Sequence, residues 1–329
     1  MMWHWIIFLT ILVLPLTVVV ADEPNQTNII TEPRPKSWDQ WTQVSGKDLL
    51  TIKDDDIQRH VGDLNYFAGI QIDEWYIREN GFVWHLLRFT NIAKLLGPLW
   101  MVPHDDENAA FEGSIAALRQ YGGVAVMVNS GPGSERRQSG KGTCGVRKDV
   151  VTSCDPNRNY AASSPKFTSA FLSQRAAGQP VIATHTNSHG FSGDGQGGHG
   201  EITILDKAAF QQGKTRPRPD GHFAINPTAD MANYDTLVLT AYLASKGQPP
   251  SDAIACRTAM TNAGVHFWHE RVARSDGSMS NYLVLNHPDI AYLNAESRLE
   301  TDLILASSRH KVMINAYLDG CNSGDKPAP

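Results

Sequence analysis

The chain has 329 residues, 41% of them hydrophobic and 19% charged, and its formal net charge is -5. Such a composition builds a sizeable core and excludes disorder over most of the length. No basic stripe runs through it, so nucleic acid is not an expected partner. The length suits one large α/β domain or two smaller ones.

The first segment stands apart. Trp5 to Val20 is an apolar run, interrupted by Pro15 and followed by Ala21-Asp22. It reads as a secretory signal peptide over residues 1–21, cleaved after Ala21. An uncleaved membrane anchor is the alternative, because no Lys or Arg precedes the run. No later segment is long and apolar enough to span a bilayer, so no stable membrane span is expected once the signal is removed. A secreted or periplasmic location follows. The cysteines, Cys144, Cys154, Cys256 and Cys321, fit export. Four cysteines allow three pairings; a local Cys144–Cys154 loop leaves Cys256 with Cys321. No C-x-x-C pair supports a cysteine-based zinc site. Asn25-Gln26-Thr27 would be a glycosylation sequon in a eukaryotic source.

Residues 22–47, rich in Pro, Asn, Thr and Trp, read as an extended arm, and residues 48–329 as one folded domain. Phe82 to Phe89 and Leu99 to Val102 look like strands. Ala109 to Tyr121 has helical apolar spacing, and Gly122-Gly123 ends it. Val124 to Val128 and Val181 to Thr184 are short apolar runs suited to buried strands. Helices are expected over Phe167 to Ala177, Met231 to Ser245 and Arg298 to Leu318, with a strand at Ile290 to Ala295. Strands alternating with helices argue for an α/β fold with a central mixed, mostly parallel sheet flanked by helices. Such sheets bind ligands beyond the carboxyl ends of their strands. Two Gly-rich stretches, 130–145 and 190–200, look like loops around a pocket. The first lacks the spacing of a phosphate-binding loop.

Chemistry concentrates in four motifs near strand ends. His104-Asp105-Asp106-Glu107 follows the strand L-W-M-V. Imidazole and carboxylate are the ligand types of hydrolytic zinc sites, and H-x-x-E in a loop lets both converge on one ion. A solvated acidic turn is the bland alternative for that motif alone. The second motif is Asp155-Pro156-Asn157-Arg158-Asn159-Tyr160. Arginine suits carboxylate binding because its planar fork gives two parallel hydrogen bonds. Thr184-His185-Thr186-Asn187 and Asn294-Ala295-Glu296 complete the set.

The run D-P-N-R-N-Y resembles the D-x-N-R-N-F signature of the zinc carboxypeptidase superfamily, and the order H-x-x-E, N-R, H, E follows that family across roughly residues 100 to 300. The resemblance implies a bound Zn2+ held by His104, Glu107 and His185. His185 is preferred to His189 because its strand fixes its direction. It also implies that Asn157 and Arg158 hold the substrate's free carboxylate. Glu296 becomes the catalytic base, with Glu270 as its rival, and Arg136 or Arg137 the oxyanion-stabilising arginine. Tyr282 is the weakest match, to the family's mobile-loop tyrosine.

Departures exist: Pro156 replaces the usual Leu or Ala, and the spacing from Asn157 to His185 is shorter than in digestive enzymes. The compact form looks closer to bacterial murein-peptide hydrolases or succinylglutamate desuccinylase-like members. The expected activity is cleavage of an amide bond next to a free carboxylate, in a peptide or an acyl amino acid. Two further possibilities are an N-acyl amino acid amidohydrolase and a non-catalytic carboxylate-binding module. A serine hydrolase is disfavoured, since no G-x-S-x-G elbow is present.

Overall fold

A computed structural model of the protein describes residues 38–63, 65–130, 138–139, 153–187, 222–224, 235–246, 251–299 and 301–321. The expected signal segment, Arg136, Arg137, Cys144, His189 and both Gly-rich loops, apart from Ser130 and residues 138–139, lie outside these residues.

The first strand among the described residues is β1 (Thr42–Gln43), so the segment expected to be an extended arm contributes a short strand. A short helix α1 (Asp55–His60) follows, capped by the Asp54 side chain on the Ile57 amide. Next comes the long hairpin β2 (Ile70–Glu79) and β3 (Phe82–Asn91). Its two-residue turn is Asn80-Gly81, both at positive φ, the conformation that a tight hairpin demands. Then follow β4 (Leu99–Val102), α2 (Asn108–Tyr121) and β5 (Val124–Asn129). Gly122 turns the chain between α2 and β5 at φ 79, where a Cβ would meet the Lys94 carbonyl at 2.3 Å.

A small hairpin pairs β6 (Gln138–Ser139) with β7 (Ser153–Cys154). Helix α3 (Pro165–Leu172) precedes β8 (Val181–Asn187). The final third holds β9 (His222–Ala224), β10 (Thr236–Leu243), α4 (Ser251–Asn262), β11 (His266–Val272), α5 (Met279–Asn286), β12 (Tyr292–Arg298) and α6 (Leu303–Gly320).

Among the described residues, ten strands form one mixed sheet in the order β1-β2-β3-β5-β4-β8-β12-β10-β11-β9. Its centre, β5-β4-β8-β12, is parallel. On one side the pairs from β5–β3 outward are antiparallel; on the other, β12–β10 is antiparallel, β10–β11 parallel and β11–β9 antiparallel. Alternate residues of the central strands feed two cores. Trp100, Val102, Ala125, Met127 and Ile182 pack with Ile115, Met260 and Met313 of α2, α4 and α6. Leu99, Met101, Val126, Val128, Val181 and Ala183 pack with Phe167 and Leu283 of α3 and α5. The sheet is therefore covered on both faces, as a buried parallel centre requires.

The helix expected over Met231 to Ser245 is corrected: residues 236–243 are strand β10. Its run T-L-V-L-T-A-Y-L is buried on both faces at its start, so its apolar residues carry no strand alternation. The last helix begins at Leu303, with Asp302 as its cap, and the strand before it extends to Arg298. Glu296 thus lies inside a strand. Helix α3 ends at Leu172, well short of Ala177. Cys256 of α4 and Cys321 at the end of α6 form a disulfide. Among the described residues no helix is long and apolar enough to cross a membrane.

Candidate metal centre

The carboxyl ends of β4 and β8 bring together the first cluster. β4 ends at Val102 and delivers His104 and Glu107 on the turn entering α2; β8 delivers His185. All three are buried. One ligand atom from each lies within 4.8 Å of the others. Nδ1 of His104 is 2.8 Å from Glu107 Oε1, and Nδ1 of His185 is 3.1 Å from Glu107 Oε2.

Hydrogen bonding decides which nitrogen of His104 faces this cluster. Its Nε2 lies 2.9 Å from Asp155 Oδ1, a carboxylate oxygen that accepts. With Nε2 donating to that carboxylate, a neutral ring would turn the lone pair of Nδ1 toward Glu107. Two acceptors 2.8 Å apart repel unless a proton or a cation lies between them. Two imidazole nitrogens and a carboxylate, dry and convergent, are a donor set that fits zinc. An imidazole whose other nitrogen is held by a carboxylate is the usual outer arrangement of such ligands.

The backbone is held as well. β8 pairs with β4 only as far as Ala183, opposite Met101. Beyond that point Glu107 Oε2 accepts the Thr186 amide at 2.9 Å. Thr184 faces the other core, where its hydroxyl donates to the Ala110 carbonyl at 3.0 Å and meets Ser114 Oγ at 2.7 Å. His310 of α6 donates from Nε2 to the His185 carbonyl at 2.8 Å. Burial lowers the pKa of His310 to about 4, so it is neutral near pH 7.

Glu296 lies directly opposite His185 in the parallel β8–β12 register. Paired residues of adjacent strands point to the same face, so both side chains share one side of the sheet. Glu296 is buried, and its Oε1 accepts from Asn294 Nδ2 at 3.0 Å. Its rival Glu270 sits opposite Ala241, whereas Glu296 sits opposite Leu237. Four residues along β10 displace Glu270 by roughly 13 Å in the strand direction.

Asn157 and Arg158 form a one-turn 3-10 helix, Pro156–Arg158, capped by Asp155. Asp155 Oδ1 accepts the Asn157 amide at 2.8 Å and also contacts His104. One oxygen thus links the Asn-Arg turn to the histidine–glutamate cluster. Arg158 is half-buried, and its backbone abuts Gly277, where a Cβ would meet the Arg158 carbonyl at 2.4 Å. Tyr292, near Glu296 and Arg158, has its phenol pushed up by burial and then by the Glu296 charge.

Asp105 points elsewhere. Its Oδ2 accepts the Ser130 amide at 2.8 Å, and it gathers with Asp54, Asp55 and Asp56. Burial, then the Asp54 charge, raises its pKa to about 9. Asp155 stands inside the D-P-N-R-N-Y motif, but nothing in that motif marks it as the partner of His104. His310 carries no local signal: it is one His within the final helix.

No protein-family model matches the chain, and no curated protein matches it. Among solved structures it is similar to a candidate metallopeptidase from Shewanella denitrificans, with 12% identity, 89% of this chain and 98% of that one covered, and a TM-score of 0.36. A candidate metallopeptidase from Shewanella baltica gives 10% identity, 88% and 100% coverage, and a TM-score of 0.40. An aspartoacylase family protein from Mesorhizobium loti gives 10% identity, 78% and 69% coverage, and a TM-score of 0.35. Function is to be read from this chain's own side chains.

Proposed function

We propose that the chain is an exported zinc-dependent hydrolase that cleaves an amide bond next to a free carboxylate. The observation that carries this reading is the buried His104–Glu107–His185 group, with Asp155 holding the far nitrogen of His104. These three residues would hold the ion. Bound zinc supplies Lewis-acid polarisation of a carbonyl and a hydrolytic nucleophile near neutral pH.

The chain's own groups do the rest. Glu296, on the same face as His185, takes a proton from the attacking water and returns it to the leaving nitrogen. Arg158 and Asn157 bind the substrate's carboxylate, the arginine through its two-pronged fork. Arg136 or Arg137 is assigned to the developing oxyanion. Export is supported by the Cys256–Cys321 disulfide, since such bonds persist in oxidising compartments. A peptidoglycan peptide or an acyl amino acid meets the requirement for an amide beside an acid.

The test is metal analysis of the purified protein, followed by hydrolysis of a panel of muropeptides, peptides and acyl-glutamates. Stoichiometric zinc is expected, with activity lost to a chelator and restored by zinc. Glu296→Gln is expected to lower turnover by about 10²–10⁴-fold. Hydrolysis that survives both chelation and that substitution sinks the mechanism. Zinc and carboxylate binding without turnover on any substrate indicates a binding module instead.

A further inference from the structure

Thr184, His185 and Thr186 are pinned residue by residue, from α2, from Glu107 at its N-terminus and from α6. The Thr184 hydroxyl is held by α2, through Ala110 and Ser114. The Thr186 amide is held by Glu107. The carbonyl of His185 is held by His310 Nε2 at 2.8 Å, from α6, 125 residues away in sequence.

His310 is an unusual residue to bury as filling. It is completely inaccessible, and among the described residues its second nitrogen, Nδ1, makes no well-aligned hydrogen bond, although the Ala295 backbone also acts on the ring. An aliphatic side chain would fill the same space without leaving a buried polar atom unsatisfied. Nor is the space accidental. The ring lies against Gly113 of α2, where any Cβ would stand 2.8 Å from His310 Cβ and 2.9 Å from its Nδ1. A helix interior normally prefers alanine to glycine, so two positions depart from ordinary packing preference at one contact. The hydrogen bond to the His185 carbonyl accounts for a histidine here, and the space that histidine takes accounts for the glycine.

We infer that His310 is a positioning residue for the metal centre: it sets the backbone of His185 so that the imidazole meets Glu107, where the two would hold the ion. It touches neither substrate nor metal. The inference rests on the zinc reading above, and it assigns to α6 a duty that no ligand motif carries.

The test compares His310→Leu, which removes the donor, with His310→Gln, whose amide N–H can reach the carbonyl. The readout is zinc affinity of the full chain, measured by competition with a chromophoric chelator. Thermal unfolding of the metal-free protein is followed in parallel. His310→Leu is expected to bind zinc about 10–100-fold more weakly, the range typical for lost outer-shell contacts. His310→Gln is expected to stay within about threefold of the parent. Leu binding zinc as tightly as the parent overturns the assignment, as does Gln losing as much as Leu.

If the leucine variant does not fold, His310→Asn replaces it, because the shorter amide cannot reach the carbonyl. Asn and Gln binding alike then overturns the assignment. A parent protein that binds no zinc refutes the hydrolase reading itself, an outcome distinct from either of these.

Discussion

Replacing Asp155 with alanine probes the centre without touching a proposed ligand. In the parent, Asp155 Oδ1 accepts from His104 Nε2 at 2.9 Å and from the Asn157 amide at 2.8 Å. Removing the carboxylate strands both donors. The Asn157 amide belongs to a half-buried residue and can recover water; His104 is 3% exposed and cannot. The imidazole then gains by moving its proton to Nδ1, where it can donate to Glu107 Oε1. In that tautomer Nδ1 turns an N–H, and no lone pair, toward the cluster.

Restoring the competent form leaves one buried N–H unpaired, a penalty of about 1–3 kcal/mol. Zinc affinity should therefore fall by roughly 10–100-fold in Asp155→Ala. Asp155→Asn keeps an oxygen acceptor and should lose much less. Chelator competition at pH 7.5 measures both variants. Alanine and asparagine variants with equal affinity would refute the tautomer argument, and an alanine variant matching the parent would refute the role of Asp155 altogether.

Three further outcomes follow from the same geometry. Arg158→Ala should raise KM by about 10–100-fold for substrates with a free carboxylate and leave amidated analogues unaffected, since charge-assisted hydrogen bonds contribute about 1.5–3 kcal/mol; steady-state kinetics on the paired substrates checks this. Replacing Cys256 and Cys321 by serine opens a loop with a sequence separation of 65. The chain-entropy relation gives about 4 kcal/mol of lost stability, readable as a lower urea midpoint that reductant no longer shifts. Asp54 has a folded pKa of about 6 against an ordinary 3.8, raised chiefly by burial. Its protonated form is thus favoured by folding, and that stabilisation is complete below about pH 4 and lost as pH rises through about 6. Asp54→Asn keeps the cap on Ile57 and should stabilise the protein at pH 7 by up to about 3 kcal/mol, but not at pH 3.5; denaturant titrations at the two pH values decide it.

Much of the central sheet was legible because its strands are short apolar runs set off by glycines. Leu99–Val102, Val124–Asn129 and Val181–Asn187 are of this kind, and so is α2 with its Gly122-Gly123 stop. The residues at the ends of those strands, His104, Glu107 and His185, were legible with them. β10 was not, because a strand buried on both faces reads like a buried helix. β2 was missed although its partner β3 was found; the Asn80-Gly81 pair between them is the strongest short hairpin signal in the chain. Asp155 and His310 escaped for a different reason. Their importance lies in what they reach across space, and no spacing within a motif encodes a contact 51 or 125 residues away.

That remoteness has a kinetic consequence. His104 meets Asp155 across 51 residues, Glu107 meets His185 across 78, and His185 meets His310 across 125. No local fragment of the chain contains the cluster. Contacts of such high sequence separation close late, after most of the loop entropy has been surrendered. The ion consequently has no template until β8 has slotted between β4 and β12 and α6 has docked behind them. A nascent chain lacking α6 would meet zinc with an incompletely fixed His185. Metal uptake during refolding should then trail the recovery of secondary structure and coincide with burial of the tryptophans, which makes loading a clock for the last assembly step.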